Sequence, residues 1–357
     1  MRTLVLAAVA VVLTMSTGFA QQPPAAPPPP CQDTADIQFV CGLQAPEDLV
    51  VVPGGEWVIA SAYAGTGGIY LIRTSNRMST VAYPGAAAKE RFDARTYKAC
   101  PGAPDRGTKA KFQTHGLYLL SGDNNVHRLF VVLHGGRESV EVFELDARPA
   151  TPTLTWIGCA VAPDPVGLNS VRGLPDGGFI ATNFLPRNAG PDGFTVLRGG
   201  ALNGELWEWH TATGWQKVPG SESSGANGVE LSEDGKTLYV AAWGSQSFFR
   251  LARGGAAPKR DEVKLGFAVD NIRWARDGSI LAAGQGMGTT NIVKIDPKTL
   301  AVKEVVKRPD MPAYGGGTVA VEIGNKLWVG SFRGDRIAIF DTTSALIDVG
   351  PPSGGRR

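Results

Sequence analysis

One pattern of hydrophobic and polar positions recurs along the chain. Between Ala226 and Ala242, Val229 and Leu231 alternate with polar neighbours, Glu233-Asp234-Gly235 supplies a residue able to take positive φ, and Leu238-Tyr239-Val240-Ala241 follows as an unbroken apolar run. Alternation with a period of two predicts a half-buried strand, and a short unbroken apolar run predicts a buried one. The stretch therefore predicts a hairpin with its second strand inside. The same order returns in Leu168-Asn169-Ser170-Val171, the turn Pro175-Asp176-Gly177-Gly178 and Phe179-Ile180-Ala181-Thr182. It returns again in Val269-Asp270-Asn271-Ile272, Arg276-Asp277-Gly278 and Ile280-Leu281-Ala282-Ala283. Looser copies start at Glu47-Asp48-Leu49-Val50, His115-Gly116-Leu117-Tyr118 and Thr318-Val319-Ala320-Val321.

Six copies, spaced from 44 residues (Asn227 to Asn271) to 67 (Asp48 to His115), predict an all-β fold, a six-bladed β-propeller. Repeats of this length with several strands each bury their faces only against neighbouring repeats. The last copy supplies three strands where a blade needs four. Asp36-Ile37-Gln38-Phe39-Val40, a β-rich segment ahead of the first copy, is expected to be the N-terminal strand closing the last blade, which removes edges that invite aggregation. Segments 83–112 and 184–203 do not fit the repeat and are expected to form walls or lids over one end of the channel.

Composition matters most at the chain ends. Met1-Arg2-Thr3, the apolar run 4–13 and Gly18-Phe19-Ala20 read as a signal peptide over 1–20. That run is too short to span a bilayer, which takes about 20 residues, so no transmembrane span is expected and the protein is read as exported, periplasmic or secreted. Residues 21–34 read as a Pro-rich disordered tether, 35–346 as the propeller, one domain, and 347–357 as a flexible C-terminal tail. The 35 basic and 33 acidic residues nearly cancel without forming a basic run, which argues against a nucleic-acid partner. Cys31, Cys41, Cys100 and Cys159 in an exported chain predict two disulfides, with three pairings open, and no pair has metal or haem spacing.

In a propeller the innermost strands line a central channel, so residues at their starts converge from distant parts of the chain. Those positions hold Glu47, Asp48, His115, Asn169, Asn227, Asp270 and Asn271. Carboxylates and amide oxygens are hard ligands that suit calcium; a transition metal would call for more His or Cys. A single Asn-Gly such as Asn227-Gly228 is more often a turn than a ligand site. The argument for a metal is that oxygen-bearing residues recur at equivalent places in separate blades. The chain has four histidines, and of these His127 and His210 are expected to be exposed. Trp207, Trp209 and Trp215 alternate with polar residues and are expected to pack between blades. Gly135-Gly136-Arg137-Glu138-Ser139 reads as a hairpin turn, and no Gly-x-Ser-x-Gly elbow occurs.

Pro46-Glu47-Asp48-Leu49, His115-Gly116-Leu117, Leu129 to His134 with Val140-Glu141-Val142-Phe143, Leu168-Asn169, Ala226-Asn227-Gly228 and Val269-Asp270-Asn271-Ile272 resemble, in order, the motifs of the paraoxonase/arylesterase family. The wider relatives of that family are the regucalcin/gluconolactonase six-bladed calcium propellers. The resemblance implies that Glu47, Asn169, Asn227, Asp270 and Asn271 hold a calcium ion, and that His115 and His134 form a general-base dyad. It further implies a second, structural calcium at Asp48 and the backbone carbonyl of Leu117. The chain departs from the family at Ser170, where an aspartate is expected, and at Asn183-Phe184, which replaces an acidic and histidine pair.

Two functions of different class follow. One is a calcium-dependent hydrolase of lactones or aryl and alkyl esters, acting on a small, largely neutral substrate. The other is a non-catalytic secreted propeller that binds a small ligand or protein partner around a structural calcium.

Overall fold

The protein is described by a computed structural model covering residues 30–85, 88–105, 111–255, 258–311 and 313–342. The signal peptide, most of the tether and the C-terminal tail expected from the sequence lie outside these residues. Six sheets, antiparallel apart from one short edge strand on the second, follow one another along the chain, each starting at the position of one sequence repeat. From the channel outward, blade 1 holds Leu49–Val51, Trp57–Ala62, Gly68–Arg73 and Ser79–Tyr83, and blade 2 holds Phe112–Leu120, Val126–Gly135, Ser139–Asp146 and Thr153–Val161. Blade 3 is Leu168–Gly173, Phe179–Asn183, Glu205–His210 and Gly214–Lys217, and blade 4 is Ala226–Leu231, Thr237–Ala242, Ser247–Ala252 and Arg260–Lys264. Blade 5 is Ala268–Trp274, Ile280–Gln285, Thr289–Ile295 and Val302–Pro309. Blade 6 is Gly317–Ile323, Lys326–Ser331 and Ile337–Asp341, completed by Ile37–Val40 from the start of the fold. The innermost strands of neighbouring blades touch, and that of blade 6 touches that of blade 1, so the ring is closed.

The closing strand pairs antiparallel, Ile37 opposite Phe340 and Val40 opposite Ile337, as its unpartnered β-rich composition predicts. Between blades 6 and 1, Val58, Ala60 and Ile72 pack against Val321, Trp328 and Ile339 in one apolar cluster. Each valine or isoleucine side chain taken fully out of water contributes about 1.5–3 kcal/mol. Of the three pairings open to the cysteines, the fold uses Cys31–Cys41, beside the closing strand, and Cys100–Cys159.

A detail that the repeat pattern does not reveal recurs in five innermost strands. Their ladders to the second strand shift register between Thr114 and Leu117, Leu168 and Val171, Ala226 and Val229, Val269 and Ile272, and Gly317 and Ala320. A β-bulge of this kind frees residues from the ladder and re-aims their side chains. Asn227-Gly228 therefore lies inside a strand, at a bulge, and is not a turn. Hydroxyls of second strands take up backbone N–H groups at the starts of inner strands: Ser61 Oγ accepts from Asp48 N (2.8 Å) and, at a bulge, Thr182 Oγ1 from Ser170 N (2.8 Å).

The two irregular segments behave differently. The 184–203 segment carries the α-helix Gly193–Arg198, and Phe184, Phe194 and Arg198 wall the cavity at the channel mouth. The described part of 83–112 packs instead on the outside of blade 2. There Lys89–Glu90 runs parallel to Thr153–Val161, Cys100 is tied to Cys159, and Tyr97 stacks on Trp209 at 5.6 Å. Trp209 continues that stack onto Phe179 at 5.2 Å, an interior packing role of the kind expected for it. His127 corrects the sequence reading: it is buried within Val126–Gly135, its Nδ1 accepting from Gly122 N at 3.1 Å. His210 is half-buried between Asp176 and Glu208.

Candidate active site and metal centre

The starts of the inner strands, bulged in every blade named here but the first, converge on a cavity of about 190 Å³ whose lining includes Glu47, His115, Asn169, Asn227 and Asp270. All five, and Asn271 beside them, are buried. Asn271 Nδ2 donates to Glu47 Oε1 at 2.6 Å and Gln285 Nε2 donates to Asp270 Oδ2 at 2.7 Å. Four further oxygens of the group are open: Glu47 Oε2, Asn169 Oδ1, Asn227 Oδ1 and Asn271 Oδ1 are all buried without a hydrogen-bond partner. A buried polar atom without a partner costs about 1–3 kcal/mol. Four of them at one place, one carboxylate oxygen and three amide oxygens, form with the Asp270 carboxylate an all-oxygen donor set that fits a calcium ion. Among the described residues no three His, Cys, Asp or Glu side chains converge as a site built from those residue types alone would require.

The electrostatics point the same way. Burial, with Asp270 and Asp48 nearby, pushes the Glu47 carboxyl well above the usual carboxylate range. Burial raises Asp270 to about 7. Two buried carboxylates that resist ionisation together would be relieved by a cation between them.

His115 stands at the edge of this oxygen cluster. Its Nδ1 is 3.0 Å from His134 Nε2, and His134 Nδ1 is 2.8 Å from Glu138 Oε2. Protons assigned from this network run one way: His134 Nδ1–H donates to Glu138, and His115 Nδ1–H donates to His134 Nε2. That leaves the lone pair of His115 Nε2 near Asn169 Nδ2 (3.4 Å) and Glu47 Oε2 (3.6 Å). Burial, and then His134, hold His115 well below the usual histidine range, so its imidazole is neutral at neutral pH. Tyr63 covers it, ring centroids 4.3 Å apart.

Asp48 and the Leu117 carbonyl, which the resemblance gives to a second calcium, meet a different group. Arg273 Nη2 donates to both carboxylate oxygens of Asp48 and, at 2.9 Å, to Leu117 O, while its Nη1 donates to Ile272 O at 2.8 Å. Asp48 Oδ2 also accepts the Leu117 N–H at 2.6 Å. These residues do not fit a second ion, because a cationic side chain of the chain itself already holds them. Further along the interior a second arginine is answered in the same way. Arg172 Nε donates to Glu230 Oε2 at 2.9 Å, and its guanidinium lies 4.1 Å over the Tyr118 ring.

The structure thus brings together Glu47, His115, His134, Asn169, Asn227, Asp270 and Asn271, and assigns Asp48 and Leu117 to the Arg273 contact. Sequence reasoning missed Glu138, although an acid in the turn right after His134 was a signal that the return strand would place beside it. It also missed Gln285, which the hairpin of blade 5 sets beside Asp270, and Tyr63 and Arg273, which are met only once blades are placed in a ring. Asn183, at the family's acidic position, instead bridges Gly167 N (2.9 Å) and Glu205 Oε1 (3.0 Å), and Phe184 lines the cavity.

No protein-family model matches the chain, and no curated protein matches it. Among solved structures, a gluconolactonase from Xanthomonas campestris is similar at 15% identity with a TM-score of 0.55, covering 89% of this chain and 98% of that one. A luciferin-regenerating enzyme is similar at 13% identity and TM-score 0.55 (85% and 94% covered), and a calcium-binding regucalcin from Agrobacterium tumefaciens at 14% and 0.50 (84% and 90%). The fold is that of the gluconolactonase and regucalcin six-bladed propellers.

Proposed function

We propose that the protein is an exported, calcium-dependent hydrolase of small lactones or aryl and alkyl esters. The observation that carries the reading is the set of four open oxygens, on Glu47, Asn169 and Asn227 of one cavity and on Asn271 beside it, next to a neutral His115. Export is supported by the two disulfides and the apolar start of the chain, and no helix among the described residues is long and apolar enough to cross a membrane.

Glu47, Asn169, Asn227, Asp270 and Asn271 would hold one calcium ion, which when bound would supply electrophilic polarisation of the substrate carbonyl. His115 Nε2, the one lone pair of the histidine chain aimed at the cavity, takes a proton from the attacking water. His134 Nε2 receives the Nδ1–H of His115, fixing the tautomer that keeps that lone pair available. Glu138 in turn fixes His134 and opposes positive charge gained along the chain of hydrogen bonds. Tyr63, Phe184 and Trp243 narrow the cavity and limit the water that reaches it.

A panel of lactones and phenyl esters, assayed with calcium and with chelator, tests the reading. Turnover that chelator abolishes and calcium restores is expected. No turnover of any member in calcium would leave ligand binding as the function of the cavity.

A further inference from the structure

Two arginines reach the same cavity, and the catalytic reading does not use them. Arg198 ends the helix Gly193–Arg198 inserted in blade 3, and Arg333 follows Lys326–Ser331 of blade 6, the blade opposite in the ring. Each guanidinium is held over an aromatic ring of the cavity wall, Arg198 at 5.3 Å from the centroid of Trp243 and Arg333 at 4.5 Å from that of Phe332. A cation–π contact of this kind holds the group against the wall and leaves N–H donors free. Among the described residues neither arginine has a carboxylate partner, whereas Arg172, Arg253, Arg260 and Arg273 are each paired with one.

We propose that Arg198 and Arg333 form an anion-recognising rim, so that the substrate is a lactone or ester carrying its own carboxylate or phosphate group. The proposal rests on the hydrolase reading and replaces the neutral substrate expected from the sequence. Charge balance supports it. One divalent cation held there would offset Glu47 and Asp270 on the floor, and the two rim guanidiniums would then be the net charge facing a ligand. The aromatic walls, Phe184, Phe194, Trp243 and Phe332, fit an organic ring between floor and rim. The carbonyl then points to the oxygen cluster and the anionic substituent points to the mouth, and guanidinium forks suit both carboxylate and phosphate.

The test compares kcat/KM in calcium for a neutral lactone, the same ring bearing a carboxylate, and the same ring bearing a phosphate monoester. It uses wild type, Arg198→Gln, Arg333→Gln and the double variant, with melting temperatures as a check on folding. Wild type is expected to prefer an anionic lactone by roughly tenfold or more. The preference should shrink in each single variant, approach one in the double variant, and weaken with added salt. The faster anionic arm distinguishes carboxylate from phosphate. A wild-type preference near one, or a preference that survives in the double variant, overturns the rim while leaving the hydrolase reading intact. If nothing is turned over, calorimetry with the ring-opened hydroxy-dicarboxylate decides. Binding that weakens tenfold or more in the double variant keeps the rim and sinks the hydrolase, and equal or absent binding sinks both.

Discussion

The mouth of the channel and its interior are built from near neighbours on the same strands, yet they are opposite in kind. Asn169, Asn227 and Asp270 stand at the mouth, and three residues further along the same strands Arg172, Glu230 and Arg273 stand inside. In the interior each charge is answered: Arg273 by Asp48, Arg172 by Glu230. At the mouth, buried oxygens are left open on four residues. A satisfied buried network fixes one arrangement of the blades, whereas an unsatisfied one persists only where something else completes it. On the proposed function the interior serves the fold and the mouth a ligand, with the bulges between them allowing one strand to do both.

The contrast is broken most severely by substitutions that should each affect one layer alone. His115→Gln is expected to lower kcat by about 10² to 10⁴ while melting temperature and calcium content stay near wild type. His134→Gln, which removes only the orienting partner, should cost less. A loss of folding in His115→Gln, measured by circular dichroism, would place the residue in the structural layer. Arg273→Met should do the reverse, leaving Asp48 as a buried unpaired charge at a cost of about 3–5 kcal/mol in denaturant melts. Stability within experimental error of wild type would contradict the division.

Smaller effects sharpen the comparison. Calcium at about a hundred times its dissociation constant should stabilise the protein by roughly 2.7 kcal/mol, since the oxygen cluster exists only in the folded ring. Identical melts with calcium and with chelator would remove the metal from the mouth. Asp270→Ala should weaken calcium binding more than Asn227→Ala, because a carboxylate supplies charge and an amide only a dipole. Calorimetric titration gives the order directly.

The pH dependence has a defined sign. Asp270 is raised to about 7 and Glu47 is raised as well, so protons compete with calcium below about 7, and affinity should fall there by up to about tenfold per pH unit for each carboxyl that must lose its proton. Without calcium the same raised carboxyls favour folding below their unfolded values, and that stability is lost as pH rises through about 7. Chelated protein should therefore melt lower at pH 8 than at pH 5. The opposite trend would argue that these carboxyls ionise freely.

Much of the fold was legible because blades are local: Val229, Gly235 and Leu238 declare a hairpin within one stretch of chain. The positions of Glu47, Asn169, Asn227 and Asp270 were legible for the same reason, since each precedes or opens an apolar strand. What stayed hidden depends on ring closure or on bulges. Arg273 meets Asp48 across more than two hundred residues of sequence, and no periodicity announces that contact. Arg198 and Arg333 look like ordinary surface charges until blades 3 and 6 are set opposite one another. Glu138 was hidden differently, since a turn reading of 135–139 is correct for the backbone and silent about the side chain.

The seam of the ring has a mechanical consequence. Tension applied at Pro30, where the described chain begins, enters at Cys31 and crosses the disulfide directly to Cys41. The strand Ile37–Val40 lies inside that covalent loop and carries none of the load, so it cannot be peeled from Ile337–Asp341 one hydrogen bond at a time. Force passes instead to Leu43 and Ala45, whose N–H groups are bonded to Asp335 O and Gly334 O (both 2.8 Å). A pulled molecule would thus resist at the loop between the third and second strands of blade 6 while its closing strand stays slack, and reduction of one bond would move the point of failure to the seam.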